Sequence, residues 1–210
     1  MCLVCSFFQV RISGLEYSAK RLSECFRVCD NKTLPLIIGI AGGSASGKTT
    51  FARNLARQLP RSCGIISVDD YTHDGKQDNY DLPASFDLAL LTQHLAYLRN
   101  FSPVLVPHYD FLTGRNRDVV SFGPFDYILV EGLYALHKPV FDFLDFKVYI
   151  DATEEFSRSR RVARDVTERG RTEESVLHKW ERHVLPAYYE YVQPQQSFAH
   201  VIIENNAYKA

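Results

Sequence analysis

The sequence predicts an α/β fold, a doubly wound parallel sheet with helices on both faces and a small antiparallel hairpin beside it. Three observations predict it. Continuous apolar runs of strand length recur along the chain, as in strands buried on both faces. Stretches of helical period fall between them. A glycine-rich turn joins one apolar run directly to a helix.

The elements follow in order. Leu36–Ala41 (LIIGIA) is a buried strand, and Lys48–Leu59 has a helical period that stops at Pro60. Gly64–Val68 (GIISV) is a second strand. Phe86–Asn100 is an amphipathic helix with Ser85 as its candidate N-cap. Val104–Phe122 alternates around Gly114 and reads as the hairpin. Tyr127–Val130 and Lys147–Ile150 are buried strands, Glu154–Glu168 and Glu173–Val192 are helices, and His200–Ile203 is a last strand. Pro186 is expected to bend the last helix. Trp180, Val184 and Tyr188 form a core stripe on it.

Residues 1–34 differ in character and read as an N-terminal extension of unknown role, ending at the linker Asn31-Lys32-Thr33. A single domain, 35–210, follows. Four of the five cysteines (Cys2, Cys5, Cys25 and Cys29) lie in the extension. They read as ordinary thiols of a reducing cytoplasm, with a zinc site as the lesser reading. The apolar residues after Met1 carry neither a basic n-region nor a cleavage site, so no signal peptide is read there. No apolar run approaches the length of a membrane span. Lys and Arg total 24 against 25 Asp and Glu, a net charge of -1. That balance excludes coating of nucleic acid or of an anionic membrane by bulk charge.

Gly42-Gly43-Ser44-Ala45-Ser46-Gly47-Lys48-Thr49 matches G-x4-G-K-[ST], between a buried strand and a helix as the motif requires. Glycines let backbone N–H groups approach phosphates, and the helix N-terminus adds partial positive charge. Lys48 is positioned for the β- and γ-phosphates and Thr49 for Mg²⁺, so the sheet is of the P-loop NTPase type. Phosphoryl transfer also needs carboxylates, and ligands in this architecture sit beyond the carboxyl ends of the strands. Asp69 and Asp70 follow GIISV, and Glu131 follows YILV. Asp151 follows KVYI and reads as an N-cap. Of the Asp69/Asp70 pair, one is expected to be functional and one a bystander. Arg158, Arg160, Arg161, Arg164, Arg169 and Arg171 are clustered, with Arg158, Arg161 and Arg164 on one helix face. They suit a cationic lid over phosphates, about 154–172. The alternative is a solvated face balanced by Glu154, Glu155, Asp165 and Glu168.

Together IGIAGGSASGKTTFA, SVDDY, NYDLPASFD, VPHYDF, ILVEG, RRVARDVTERGRTEESVL and HVII resemble the uridine kinase family of P-loop kinases, over about Leu36–Ile203. The resemblance implies an ATP- and Mg²⁺-dependent kinase acting on the 5′-hydroxyl of a ribonucleoside, uridine or cytidine, and a homo-oligomer. It implies Asp69 as general base and metal-associated acid, Asp81 on the ribose hydroxyls, and Tyr109 and Phe111 on the nucleobase. Glu131 is implied as the second metal-associated acid. Thr50 extends the phosphate site. Arg161 and Arg164 match lid arginines, and Arg169 and Arg171 match residues reaching the phosphates and the nucleoside.

Some positions depart from the family. Gly114 and Lys179 stand where polar pyrimidine contacts are usual, and Arg115 or Asn116 is a candidate substitute. The segment between SVDDY and NYDLP is about ten residues shorter than usual, and no C-terminal helix follows HVII. A site whose polar contacts are removed loses discrimination. Lys179 suits an anionic acceptor. Two alternatives therefore remain: the same transfer to another small alcohol (a sugar, a sugar phosphate or a vitamin-like nucleoside), and a nucleotide-binding regulator without turnover.

Overall fold

The structure is a computed structural model and describes residues 10–28, 34–75, 79–110, 113 and 115–206. In chain order the main elements are β1 (Val10–Ser13), α1 (Leu15–Val28), β2 (Leu36–Gly42), α2 (Lys48–Ala56), β3 (Cys63–Ser67) and α3 (Leu88–Leu98). They continue with β4 (Val104–Asp110), β5 (Arg115–Phe122), β6 (Tyr127–Glu131), β7 (Phe146–Asp151), α4 (Glu154–Arg169), α5 (Glu173–Lys179) and β8 (Val201–Glu204). Six strands form one sheet in the order β1-β8-β7-β2-β6-β3, and every pairing is parallel. β4 and β5 form a separate antiparallel pair. The doubly wound sheet and hairpin are those the sequence predicts.

β2 is central because its side chains suit burial on both faces. Ile37, Ile38, Ile40 and Ala41 are fully buried. Ile37 packs toward Leu91, Leu95 and Ile202 on one face. Ile38 and Ile40 pack toward Phe51, Leu55 and Ile203 on the other. The strand's entrance is fixed by Asp145, which accepts from the Ile37 N–H at 2.9 Å and from Arg99 Nη1 at 2.6 Å. Arg99 also donates to the carbonyls of Pro35 and Phe143.

The N-terminal residues are part of this body. β1 runs parallel to β8, from Val10 opposite Val201 to Ser13 opposite Glu204. On α1, Ala19, Leu22 and Phe26 enter the same core as β2 and α2, and Phe26 meets Phe146 edge-on at 5.2 Å. The expected linker residues 31–33 lie outside the described residues, as do Cys2, Cys5 and Cys29. Leu15–Val28, helix-like in the sequence, is α1, whereas β1 escapes the sequence reading because it is short and exposed at the sheet edge.

Two local readings are corrected. Asp87, not Ser85, caps α3, its Oδ1 accepting from Leu90 N–H at 2.8 Å. Asp151 is the last residue of β7, and Thr153 holds the N-cap position of α4. The long C-terminal helix is not uniform. Wide π-type turns, Trp180–Val184 and Tyr188–Val192, flank the short segment around Pro186, whose ring cannot donate to the ladder. Trp180 and Val184 are buried, as the stripe predicts. Among the described residues no helix is long and apolar enough to cross a membrane.

If α1 belongs to the cooperative unit, Phe26→Ala destabilises the whole protein. Loss of a buried phenyl ring is expected to cost about 3–5 kcal/mol in a single denaturant transition. An unchanged midpoint would mean that α1 is dispensable to the core.

Candidate active site

The parallel register brings the ends of several strands to one edge. Ile40 of β2 and Ser67 of β3 both lie opposite Glu131 of β6, and Gly42 lies opposite Ile150 of β7. The loop Gly43–Gly47 leaves β2 at this edge, and α2 starts at Lys48. Its glycines answer to geometry. A Cβ on Gly42 would lie 2.3 Å from the Ile150 carbonyl oxygen. Gly47 has φ 105°, a conformation that favours glycine.

Lys48 is buried, and its Nζ donates to the Gly43 carbonyl at 2.7 Å, so the ammonium closes over its own loop. Burial pushes its pKa below the ordinary lysine value, against the pull of Glu131 and Asp69. Glu131 is buried and pushed upward by desolvation, which Lys48 opposes. Its Oε1 accepts from the Thr49 hydroxyl at 3.0 Å. Asp69 sits on the turn Val68–Tyr71 after β3, where the Ser67 hydroxyl accepts from its N–H at 3.3 Å. The two aspartates differ in role. Asp70 accepts from the Tyr109 N–H at 3.2 Å and lies 3.2 Å from His108 Nδ1, tying the hairpin to this turn, while Asp69 lines the cavity.

That cavity has a volume of ≈ 1010 Å³. Ser44, Ala45, Gly47, Lys48, Thr49 and Thr50 form its floor. Asp69, Asp81, Tyr109, Glu131 and Lys179 line it together with Arg161, Arg164, Arg169 and Arg171. Gly42, Gly43 and Ser46 support the floor from below, all three buried. Arg161 bridges the two ends. Its Nη1 donates to Ser44 Oγ at 2.8 Å and lies 3.4 Å from Asp81 Oδ1. The Asp81 carbonyl is held in turn by the Tyr134 hydroxyl. Phe111 and Gly114 lie outside the described residues.

The arginines do not form a solvated face. Asp165, which the sequence counts among the balancing acids, is fully buried and collects four guanidinium groups. Arg171 approaches it to 2.7 Å, Arg164 to 2.8 Å, Arg169 to 3.4 Å and Arg161 to 3.8 Å. Burial alone would raise the Asp165 pKa, but Arg164, Arg169 and Arg161 hold it below the ordinary carboxylate value. Arg169 is itself pushed down to about 10 by burial and by Arg164. Four cations facing one carboxylate leave an excess of positive charge over the cavity, which an anion relieves. Arg158, expected on this row, is exposed and outside the cavity, and Arg160 lines it instead.

Sequence reasoning missed Asp165 and Asn205. Asp165 sits i+4 from Arg161 and i−4 from Arg169, a spacing that signals a shared helix face. Asn205, just past β8, donates from Nδ2 to the Ser46 carbonyl at 2.7 Å. No local pattern distinguishes it.

The residues fit a triphosphate and a hard cation. The buried Ser46 hydroxyl has no hydrogen-bond partner in the protein, and the loop backbone leaves no room for a Cβ at Gly42. Thr49, Asp69 and Glu131 offer oxygen donors only. Among the described residues no cluster of three or more His, Cys, Asp or Glu forms a self-sufficient metal cage. Mg²⁺ suits such a site, since it is bound through one or two carboxylates plus substrate phosphates.

The family model described as phosphoribulokinase / uridine kinase family matches residues 37–209. The chain is 34% identical to a uridine kinase of Oceanobacillus iheyensis over 183 residues, covering 82% of this chain and 87% of that one. It is 39% identical to a uridine kinase of Staphylococcus carnosus over 178 residues, covering 80% and 86%. Among solved structures, D-glycerate 3-kinase from Cryptococcus neoformans superposes with a TM-score of 0.62 at 20% identity, covering 87% of each chain. A chain from Bacillus stearothermophilus described as a possible uridine kinase superposes with a TM-score of 0.65 at 24% identity, covering 90% of this chain and 98% of that one.

Asp165→Ala is expected to cost about 3–5 kcal/mol of stability, because it leaves the arginines crowded without their counter-charge. The folded-state pKa of Asp165 is depressed. Its contribution is therefore present above the ordinary carboxylate pKa and is lost as pH falls through the lower folded value. Denaturation of both proteins across pH checks this: the gap between them should close only on the acid side, below about pH 4.

Proposed function

The chain belongs to the phosphoribulokinase / uridine kinase family, and from that premise we propose that it transfers the γ-phosphoryl group of ATP, with Mg²⁺, to the 5′-hydroxyl of uridine or cytidine. It is a phosphotransferase with an alcohol group as acceptor, and its curated relatives are uridine kinases. One observation carries the reading: a single cavity holds the phosphate loop, the carboxylates Asp69, Glu131 and Asp81, and the arginines of α4.

Each residue has a task its position suits. The loop backbone and Lys48 hold the β- and γ-phosphates, and Thr50 extends the phosphate site. Thr49, Asp69 and Glu131 hold the metal, which supplies charge neutralisation when bound. Asp69 accepts the proton of the attacking hydroxyl. Asp81 accepts from the ribose hydroxyls and is fixed from behind by Tyr134 and Arg161. Tyr109, with its strand tied down by Asp70, packs on the nucleobase. Arg161 and Arg164 offset charge on the transferring group, and Arg169 and Arg171 complete the cationic wall.

Lys179 at the cavity wall favours a second reading, the same transfer to an acceptor that itself carries negative charge. A panel of acceptors, including uridine, cytidine, other nucleosides, sugars and sugar phosphates, separates the two by ADP release. Uridine and cytidine are expected to lead. A sugar phosphate turned over faster than either would establish the second reading.

Asp69→Asn keeps the shape of the turn and removes the base. It is expected to lower kcat by about 10²–10⁴-fold. Near-normal turnover would remove Asp69 from this role.

A further inference from the structure

We propose that the segment Gly14–Tyr17, outside the span matched by the family model, forms the wall on which the base of the donor nucleotide stacks, with Tyr17 as its aromatic face. This inference rests on the reading of the cavity as a kinase site.

The segment is held firmly. β1 ends at Ser13 opposite Glu204, and the Gly14 N–H donates to the Glu204 carbonyl at 3.1 Å. The buried Ser18 hydroxyl donates back to the Gly14 carbonyl at 2.6 Å, closing the first turn of α1. Here α1 touches the phosphate loop. A Cβ on Gly47 would lie 2.5 Å from Asn205 Nδ2 and 3.1 Å from Leu15 Cδ1. Asn205 is bonded to Ser46, and its carbonyl accepts from Arg160 Nη1 at 3.0 Å. Leu15, Asn205 and Arg160 therefore form one contiguous wall against Ser46 and Gly47.

The direction of the donor follows from the loop. The transferring end is marked by the Thr49–Glu131 bond and by Arg161 between Ser44 and Asp81. A triphosphate is a linear chain, so its nucleoside leaves at the opposite end. It passes Thr50 toward Asn54, one helical turn further along α2 and also in the cavity lining. Leu15 and Tyr17 line the same cavity, and α1 packs along α2, with Ala19 and Leu22 in one core cluster with Phe51 and Leu55. Leu15 is half-buried and apolar. Tyr17 is 57% exposed, with Arg21 5.7 Å from its centroid. An exposed ring in the cavity lining is a stacking surface for a flat base.

The test is equilibrium binding of ADP and of inorganic tripolyphosphate to the full chain, to Tyr17→Ala, to Tyr17→Phe and to Lys48→Ala. Tyr17→Ala should weaken ADP about tenfold and leave tripolyphosphate unchanged, since only ADP carries a base. Tyr17→Phe should bind ADP as the native chain does. The ring is exposed, so the melting temperature without ligand should not move. Native affinity for ADP in Tyr17→Ala, or equal weakening of both ligands, overturns the inference while the phosphate site stands, provided that Lys48→Ala loses both. If the native chain binds neither ligand, the kinase reading fails and this inference fails with it.

Discussion

Burial of β2 on both faces is the constraint on which the rest of the structure depends. A strand of Ile, Ile, Gly, Ile and Ala has no solvent face, so it must lie in the middle of the sheet with helices on either side. Once β6 and β7 pair with it in parallel, the register leaves no freedom at the carboxyl edge. Glu131, Gly42 and the turn carrying Asp69 arrive together, and the phosphate loop has one place to go. The chemistry is thus positioned by apolar side chains that never touch a ligand.

Electrostatics completes what burial begins. Lys48 and Glu131 are both taken out of water, and each keeps the other from being an isolated buried charge. On the opposite wall, Asp165 gathers arginines that would otherwise repel one another. The result is a cavity with carboxylates on the strand side and guanidinium groups on the helix side. The proposed transfer uses both walls, cations for the charge of the phosphoryl group and a carboxylate for the proton of the alcohol.

Much of this was legible in the sequence, for a physical reason. The phosphate loop, the strand-end acids and the buried strands are local patterns, so chemistry and structure are written over a few consecutive residues. Asp69 and Asp70 were not separable locally, because the difference between them is a hydrogen bond to Tyr109, 39 residues away. Asp165 read as one acid among several because its burial is made by side chains from α4 and the loop beyond it. Residues 10–28 read as an appendage because their partners, β8 and α2, are distant in sequence and β1 carries no apolar run.

The central claim is that one cavity joins a phosphate donor to a nucleoside hydroxyl. The most direct measurement is phosphorus NMR of the purified chain with ATP, Mg²⁺ and uridine. The account predicts equal growth of ADP and of a uridine 5′-monophosphate resonance. Growth of ADP matched by inorganic phosphate, with water as the acceptor, would contradict it.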